Sequence, residues 1–289
     1  MSGLDATSAG RVVVDRLGFA ESPRWHDGCL WLSDIAGGRV LTVDARGTVT
    51  TICEVPGEPS GLGWLPDGRL LIVSMRDRRV LRREPDGRLV EHADLAPIVS
   101  TDVNDLAVSA DGHAYISSFG YEPGAGVIPI PTGLVLVRPD GSAEMQEGEL
   151  FRPNGIVITP DGATLIVAET RVHRLTAFTI GADARLGDAR PFADLPSGSW
   201  ADGICLDAAG AVWVADPKGG RVFRVFEGGR IDTVLPSPEL PTVACVLGGT
   251  DRRTLFLAQG HVRPMAEGRA DPCARVIAVP VDVPGAGFP

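Results

Sequence analysis

The chain has 289 residues, with 27 Lys plus Arg against 37 Asp plus Glu and a formal net charge of −10 at pH 7. That length can bury a sizeable core as one large domain or two small ones. The acidic balance excludes nucleic acid and anionic membrane surfaces as natural partners and suits a cation or a neutral small molecule better.

Cys29, Cys53, Cys205, Cys245 and Cys273 are odd in number, widely spaced and without a CxxC pair, so neither a disulfide framework nor a zinc knuckle is expected. The opening "MSGLDATSAGRVVVD" has no basic segment followed by an apolar one, and no apolar run has the length of a membrane span. A cytoplasmic location is the expectation.

Taken in chain order, "RVVVD" (11–15) reads as a strand without a partner of its own. Six similar units follow, anchored on "HDGCLWLSD" (26–34), "PDGRLLIVS" (66–74), "ADGHAYISS" (110–118), "PDGATLIVAE" (160–169), "AAGAVWVAD" (208–216) and "TDRRTLFLAQ" (250–259). Each places a short apolar stretch, a turn and a stretch rich in Val, Ile, Leu and aromatics, often followed by a basic residue and a further strand, as in "GGRVLTVD" and "GGRVFRVFE". No segment shows sustained helical periodicity. Tight turns pair successive strands antiparallel, and about four strands in roughly 40–50 residues is the length of a propeller blade. The predicted fold is all-β, a single six-bladed β-propeller over 1–289 with 1–10 as a disordered tail. A large sandwich or jelly roll would not require near-equal repeats. The C-terminal "ARVIAVPVDV" (274–283) fills only part of the last blade, so pairing with the N-terminal strand would close the ring and remove an open sheet edge. The third unit is irregular: "FGYEPGAGVIPIPTG" (119–133) separates its second and third strands and is expected as a lid over one channel mouth.

The register singles out a set of polar residues. Eight positions before the turn glycine stand Ser60, Asn104, Asn154 and Asp202; the same count reaches Ala20 in the first unit, one short of Glu21, and the sixth unit aligns at Ala244. These positions begin the innermost strands, where pseudo-symmetry points equivalent side chains at one axis. Glu21, Asn104, Asn154 and Asp202 are therefore expected to converge. Two buried carboxylates repel unless a cation compensates them, and an all-oxygen set suits one hard divalent ion. Ca²⁺ fits first, Mg²⁺ and Mn²⁺ are possible, and the lack of His or Cys weighs against Zn²⁺ without removing it.

"ESPRW", "NDLAVSADG", "PNGIVITPDGATLIVAET" and "DGICLDAAGAVWVADP" resemble the SMP-30/gluconolactonase group, which includes regucalcin and is related to the diisopropylfluorophosphatases, and the similarity extends over essentially the whole chain. The resemblance implies a six-bladed propeller with one divalent metal in its channel and hydrolysis of lactones, or of phosphoesters in relatives. By motif position it implies Glu21, Asn154 and Asp202 as metal ligands, Asn104 as a ligand or substrate contact, and Glu122 as an acidic substrate contact. It also marks a departure: Asp102 stands at a substrate-facing position where sugar lactonases of this kind carry an Arg for sugar hydroxyls, and an anion does not replace that group.

The chemistry expected is a metal-polarised ester or lactone carbonyl, with Asp202 as the catalytic residue, either base or nucleophile. Asp105 is read as a partner that fixes an amide rotamer, and Phe119, Tyr121 and Trp200 as walls of the substrate pocket. His261 reads as a solvent residue or a proton relay, and His26 and His113 as exposed turn residues. No GxSxG, HExxH or P-loop pattern occurs. Two alternatives stand beside the lactonase: a phosphotriesterase-like hydrolase, and a non-enzymatic propeller whose ion is structural and whose surface binds a partner. Oligomeric state is not legible.

Overall fold

A computed structural model describes residues 10–120, 130–262 and 264–287. Six four-stranded antiparallel sheets form the six blades of a propeller. Their innermost strands are Ala20–His26, Pro59–Trp64, Val103–Val108, Pro153–Ile158, Ile204–Leu206 and Thr242–Gly248, for blades one to six. Within blades one to five the strands run outward in chain order. In blade six the outermost strand is the N-terminal Arg11–Leu17, paired antiparallel with Ala274–Pro280 in the register Arg11↔Ala278 to Leu17↔Ala274. The predicted ring closure is present, and the ends of the described chain are tied together by a hydrogen-bonded ladder.

The turns joining first and second strands explain the repeated Asp-Gly. Gly28, Gly68, Gly112, Gly162 and Gly210 all take φ between 71° and 89°, the left-handed region in which a side chain costs energy. The sixth unit has no glycine there, and Arg252 adopts φ 58° in its place. Asp67, Asp161 and Asp251 lock these turns by accepting the N–H two residues on.

Hydrophobic cores lie between neighbouring blades. Tyr115, Leu136, Ile156 and Phe178 fill the space between blades three and four; Val157, Ile166, Val214 and Phe223 fill the next; Cys205, Trp213, Cys245 and Leu257 the one after. Aromatics behave as inter-blade packing. Trp25 stacks on Phe256 with ring centroids 5.5 Å apart, and His26 stacks on Trp64 at 3.9 Å. His26 and His113 are thus partly buried rather than exposed, because each turn is packed beside a neighbouring blade.

A second repeated device escaped the sequence reading. Asp34, Glu169 and Asp216 end the second strands of blades one, four and five, are at most 1% exposed, and pair with the Arg five residues on, Arg39, Arg174 and Arg221. Each also accepts backbone N–H groups from the segment entering its own blade: Gly18 and Phe19 on Asp34, Phe151 on Glu169, Trp200 on Asp216, at 2.8–3.1 Å. A buried carboxylate satisfied on both sides in this way is tolerable, and it ties the entry loop to the sheet.

The single helix among the described residues, α1 (Met265–Ala270), was not anticipated. Six residues containing a glycine are too short to show periodicity. It is held by packing: a Cβ on Gly268 would fall 2.8 Å from the carbonyl of Gly18, and Arg269 donates to Glu58 at 3.1 Å. No described helix is long and apolar enough to cross a membrane.

Closure through the N-terminal strand should be sensitive to its buried face. Leu17 is 1% exposed, and Leu17→Ala should lower the unfolding free energy in urea by about 2–5 kcal/mol. Val12→Thr, on the 46%-exposed side of the same strand, should change it by less than about 0.5 kcal/mol. Equal effects would mean that the strand is not packed as described.

Candidate metal and catalytic centre

The innermost ladders break where the converging residues stand. Register shifts fall between Glu21 and Arg24, Pro59 and Leu62, Val103 and Leu106, Pro153 and Ile156, and Thr242 and Ala244. In blade five the regular strand begins only at Ile204, with Asp202 N–H already bonded to Ala215. A bulge re-aims one side chain out of the alternation of a strand, and here five interruptions and one late start turn six positions towards the axis.

The backbones at this level are very close. Gly155 N–H donates to the carbonyl of Asp202, and Gly203 N–H to that of Val243. A Cβ on Gly155 would lie 2.7 Å from Asp202 O, and one on Gly203 2.5 Å from Ala244 Cβ. Asn154-Gly155 and Asp202-Gly203 therefore resemble turn dipeptides only in letters. The polar residue faces the channel, and the glycine makes room for the next blade.

A hydrogen-bond chain then runs round the axis. Ser60 Oγ donates to Asn104 Oδ1 at 3.1 Å, and Asn104 Nδ2 donates to Asn154 Oδ1 at 3.0 Å. The Asn154 amide is hydrogen-bonded in turn to the Asp202 carboxylate. Glu21 is not bonded into this chain: its Oε2 accepts the N–H of Ser22 at 2.6 Å, and it lies near enough to Asp202 for the two charges to interact. The four residues singled out by register are thus brought together. Ser60, which the same register reached but the converging set omitted, joins them as the anchor of Asn104.

Beneath this ring lies an ion pair. Arg24, buried, donates to Asp105 at 2.6 Å and to the carbonyls of Pro23, Leu62 and Leu106 at 2.9–3.0 Å. Asp105 also accepts Ser22 Oγ at 3.4 Å. The expected contact of Asp105 with an amide is replaced by this pairing, and it is Ser60 that fixes the Asn104 rotamer. Arg24 was missed, although "ESPRW" contained the signal: a charged residue inside an apolar innermost strand must find a partner. Beside it, Ile156, Cys205, Cys245, Leu247 and Gly285–Gly287 line a cavity of about 20 Å³.

The electrostatics follow from burial. The Glu21 carboxyl is pushed well above the usual carboxylate range, first by desolvation and then by Asp202 and Asp105. Burial also raises Asp202, against the pull of Arg152 and the Asn154 hydrogen bond, to about 7. No three described His, Cys, Asp or Glu side chains form a metal-binding cluster. The donor set is instead two carboxylates and two amides, hard oxygen donors of the kind that suit Ca²⁺.

Of the remaining assigned residues, Asp102, Phe119 and Trp200 stand on the segments that flank the innermost strands. Asp102 is bonded to Arg76 at 2.6 Å, and Arg76 to Glu58 at 3.0 Å. Phe119 and Trp200 flank the guanidinium of Arg152, 5.5 and 5.8 Å from the two ring centroids. His261 is exposed. Tyr121 and Glu122 lie outside the described residues, as does most of the expected lid.

Residues 19–261 match the SMP-30/Gluconolactonase/LRE-like region. The chain belongs to that family. Among its relatives are the 6-deoxy-6-sulfogluconolactonase of Pseudomonas putida, 30% identical over 93% of each chain, and a pentonolactonase of Haloferax volcanii, 27% identical over 86% of this chain and 83% of that one. A regucalcin from Agrobacterium tumefaciens, described as a calcium-binding protein, shares the fold with a TM-score of 0.80 and 24% identity, covering 97% of this chain and 96% of that one. Membership agrees with the resemblance carried by the four blade motifs.

The facing carboxylates give a pH signature. Asp202 binds its proton more tightly folded than unfolded, so the stability this confers is complete below pH 3.8 and is lost as pH rises to about 7. In chelator, Asp202→Asn should melt above the parent protein at pH 8, with the gap closing towards pH 4. Parallel profiles for the two proteins would contradict the desolvation of that carboxylate.

Proposed function

We propose that the protein is a metal-dependent lactone hydrolase whose centre is the ring of Glu21, Asn104, Asn154 and Asp202. The observation that supports this reading is the approach of two half-buried carboxylates and two bonded amides from four blades. Membership of the family and relatives named as lactonases support the substrate class. A cytoplasmic setting is part of this proposal, in keeping with widely spaced cysteines that form no CxxC pair.

Glu21, Asn154 and Asp202 would hold the ion, with Asn104 completing the shell or meeting the substrate. When bound, a divalent cation of the Ca²⁺ type balances the two carboxylates and polarises the lactone carbonyl. Asp202 takes a proton from a water that attacks the carbonyl carbon; the ring C–O bond then breaks and the proton passes to the departing alkoxide. Asn154, held by Asn104, keeps the Asp202 carboxylate aimed at that water. The Arg24–Asp105 pair closes the floor, and Ser60 sets the orientation of the first amide.

Asp202→Asn should lower kcat for lactone hydrolysis by about 10²–10⁴-fold with an unchanged circular dichroism spectrum. Undiminished turnover would overturn the assignment. A single turnover in ¹⁸O-water should place the label in the hydroxy-acid product; label in Asp202 instead would make that residue the nucleophile. Chelation should abolish activity and lower the melting temperature, by about 2.7 kcal/mol of stability relative to protein in metal at 100 times Kd.

A further inference from the structure

The segments entering the innermost strands form an edge that carries two groups of charges. Over blades two and three its charges are mutually satisfied: Asp102 with Arg76, Arg76 with Glu58, and Glu58 with Arg269 of α1. Over blades four and five two cations lie on aromatic faces. Arg152 is shared between Phe119 and Trp200, and Lys218 Nζ lies 5.3 Å from the Trp200 ring. Lys218 is the only lysine in the sequence. The residue two positions before the site residue is Asp102 in blade three but Arg152 in blade four and Trp200 in blade five, so the guanidinium stands one blade further round than the family resemblance placed it.

This cationic rim is built rather than incidental. Asp216 Oδ1 accepts both the backbone N–H of Trp200 at 2.8 Å and that of Gly219 at 2.9 Å, so one buried carboxylate ties the backbone at Trp200 to the turn carrying Lys218. Arg152 is held at φ 57°, with Thr170 N–H bonded to its carbonyl and Phe151 N–H bonded to Glu169. Glu58, two positions before Ser60, takes the same conformation at φ 67°, so this geometry recurs where the chain enters a blade and fixes the backbone from which Arg152 projects. Arg152 also acts on the Asp202 carboxylate, lowering its pKa against the effect of burial, in a protein of net charge −10.

We propose that Arg152 and Lys218, on the Trp200 platform, bind an anionic substituent of the substrate, so that the preferred lactones carry a second acidic group: a carboxylate, a phosphate or a sulfonate. Guanidinium recognises such planar or tetrahedral anions through paired donors, and ammonium adds a point charge. The charge of the whole chain pointed to a neutral molecule or a cation, whereas Arg152 and Lys218 bring two cations together on one ring. The proposal rests on the hydrolase reading for the word lactone and on the rim alone for the word anion.

The test uses the Ca²⁺-loaded full chain. Neutral gluconolactone is compared with glucarolactone, phosphogluconolactone and the sulfonate analogue, which separate the three anions. At least one acidic lactone should exceed the neutral one in kcat/KM by about tenfold or more, chiefly through KM. Lys218→Met and Arg152→Gln should each reduce that ratio by about tenfold, and Lys218→Arg should restore it. Calorimetry supplies an independent reading, since glucarate should bind more tightly than gluconate in the parent protein and lose the advantage in Lys218→Met. Binding of glucarate through Lys218 without turnover of any lactone would keep the anion site and sink the hydrolase. Equal turnover of neutral and acidic lactones with equal binding of both acids would overturn the proposal.

Discussion

Six innermost strands meet at one axis, and the space there admits very few side chains. Gly61, Gly155 and Gly203 occupy points where a single added carbon would lie 2.4–2.7 Å from the next blade. The residue preceding each glycine is displaced into the channel by the broken ladder. Crowding of the backbone and convergence of the side chains are thus one constraint seen from two sides. A ring of polar groups is the result, and two of its members are carboxylates that repel each other in a poorly solvated place.

The protein manages that repulsion by graded neutralisation. Asp105, the deepest carboxylate, is paired outright with Arg24. Asp202 has Asn154 as donor and Arg152 nearby, yet its pKa still stands near neutrality. Glu21 has one backbone donor and stays strained by its neighbours. Negative charge is therefore left over at the level of the amides and not below it, which is where an ion would be stabilised most. Such an arrangement would trade some stability of the ring for a gain on binding a cation, as functional centres commonly do.

Much of the fold was legible because turns and apolar runs repeat at blade length, and Gly28, Gly68, Gly112, Gly162 and Gly210 mark the period. The converging set followed from the same register. What could not be read were partners that depend on distance in space. Arg24 and Asp105 are 81 residues apart, and Ser60 anchors Asn104 across a blade boundary. The Asp34–Arg39 type of pair was visible as a spacing of five, but only burial gives that spacing meaning. Helix α1 had too few residues to announce itself, and Arg152 sat unremarked two positions from Asn154 because an arginine on a loop looks like any other until aromatic rings are found around it.

The most direct measurement is anomalous diffraction from crystals soaked in Mn²⁺, a cation that shares the oxygen preference of Ca²⁺. We expect one strong peak per chain on the propeller axis, about 2.0–2.6 Å from oxygens of Glu21, Asn154 and Asp202. A channel without such a peak, or a peak bound only at surface carboxylates, would contradict the convergence of those groups on a cation.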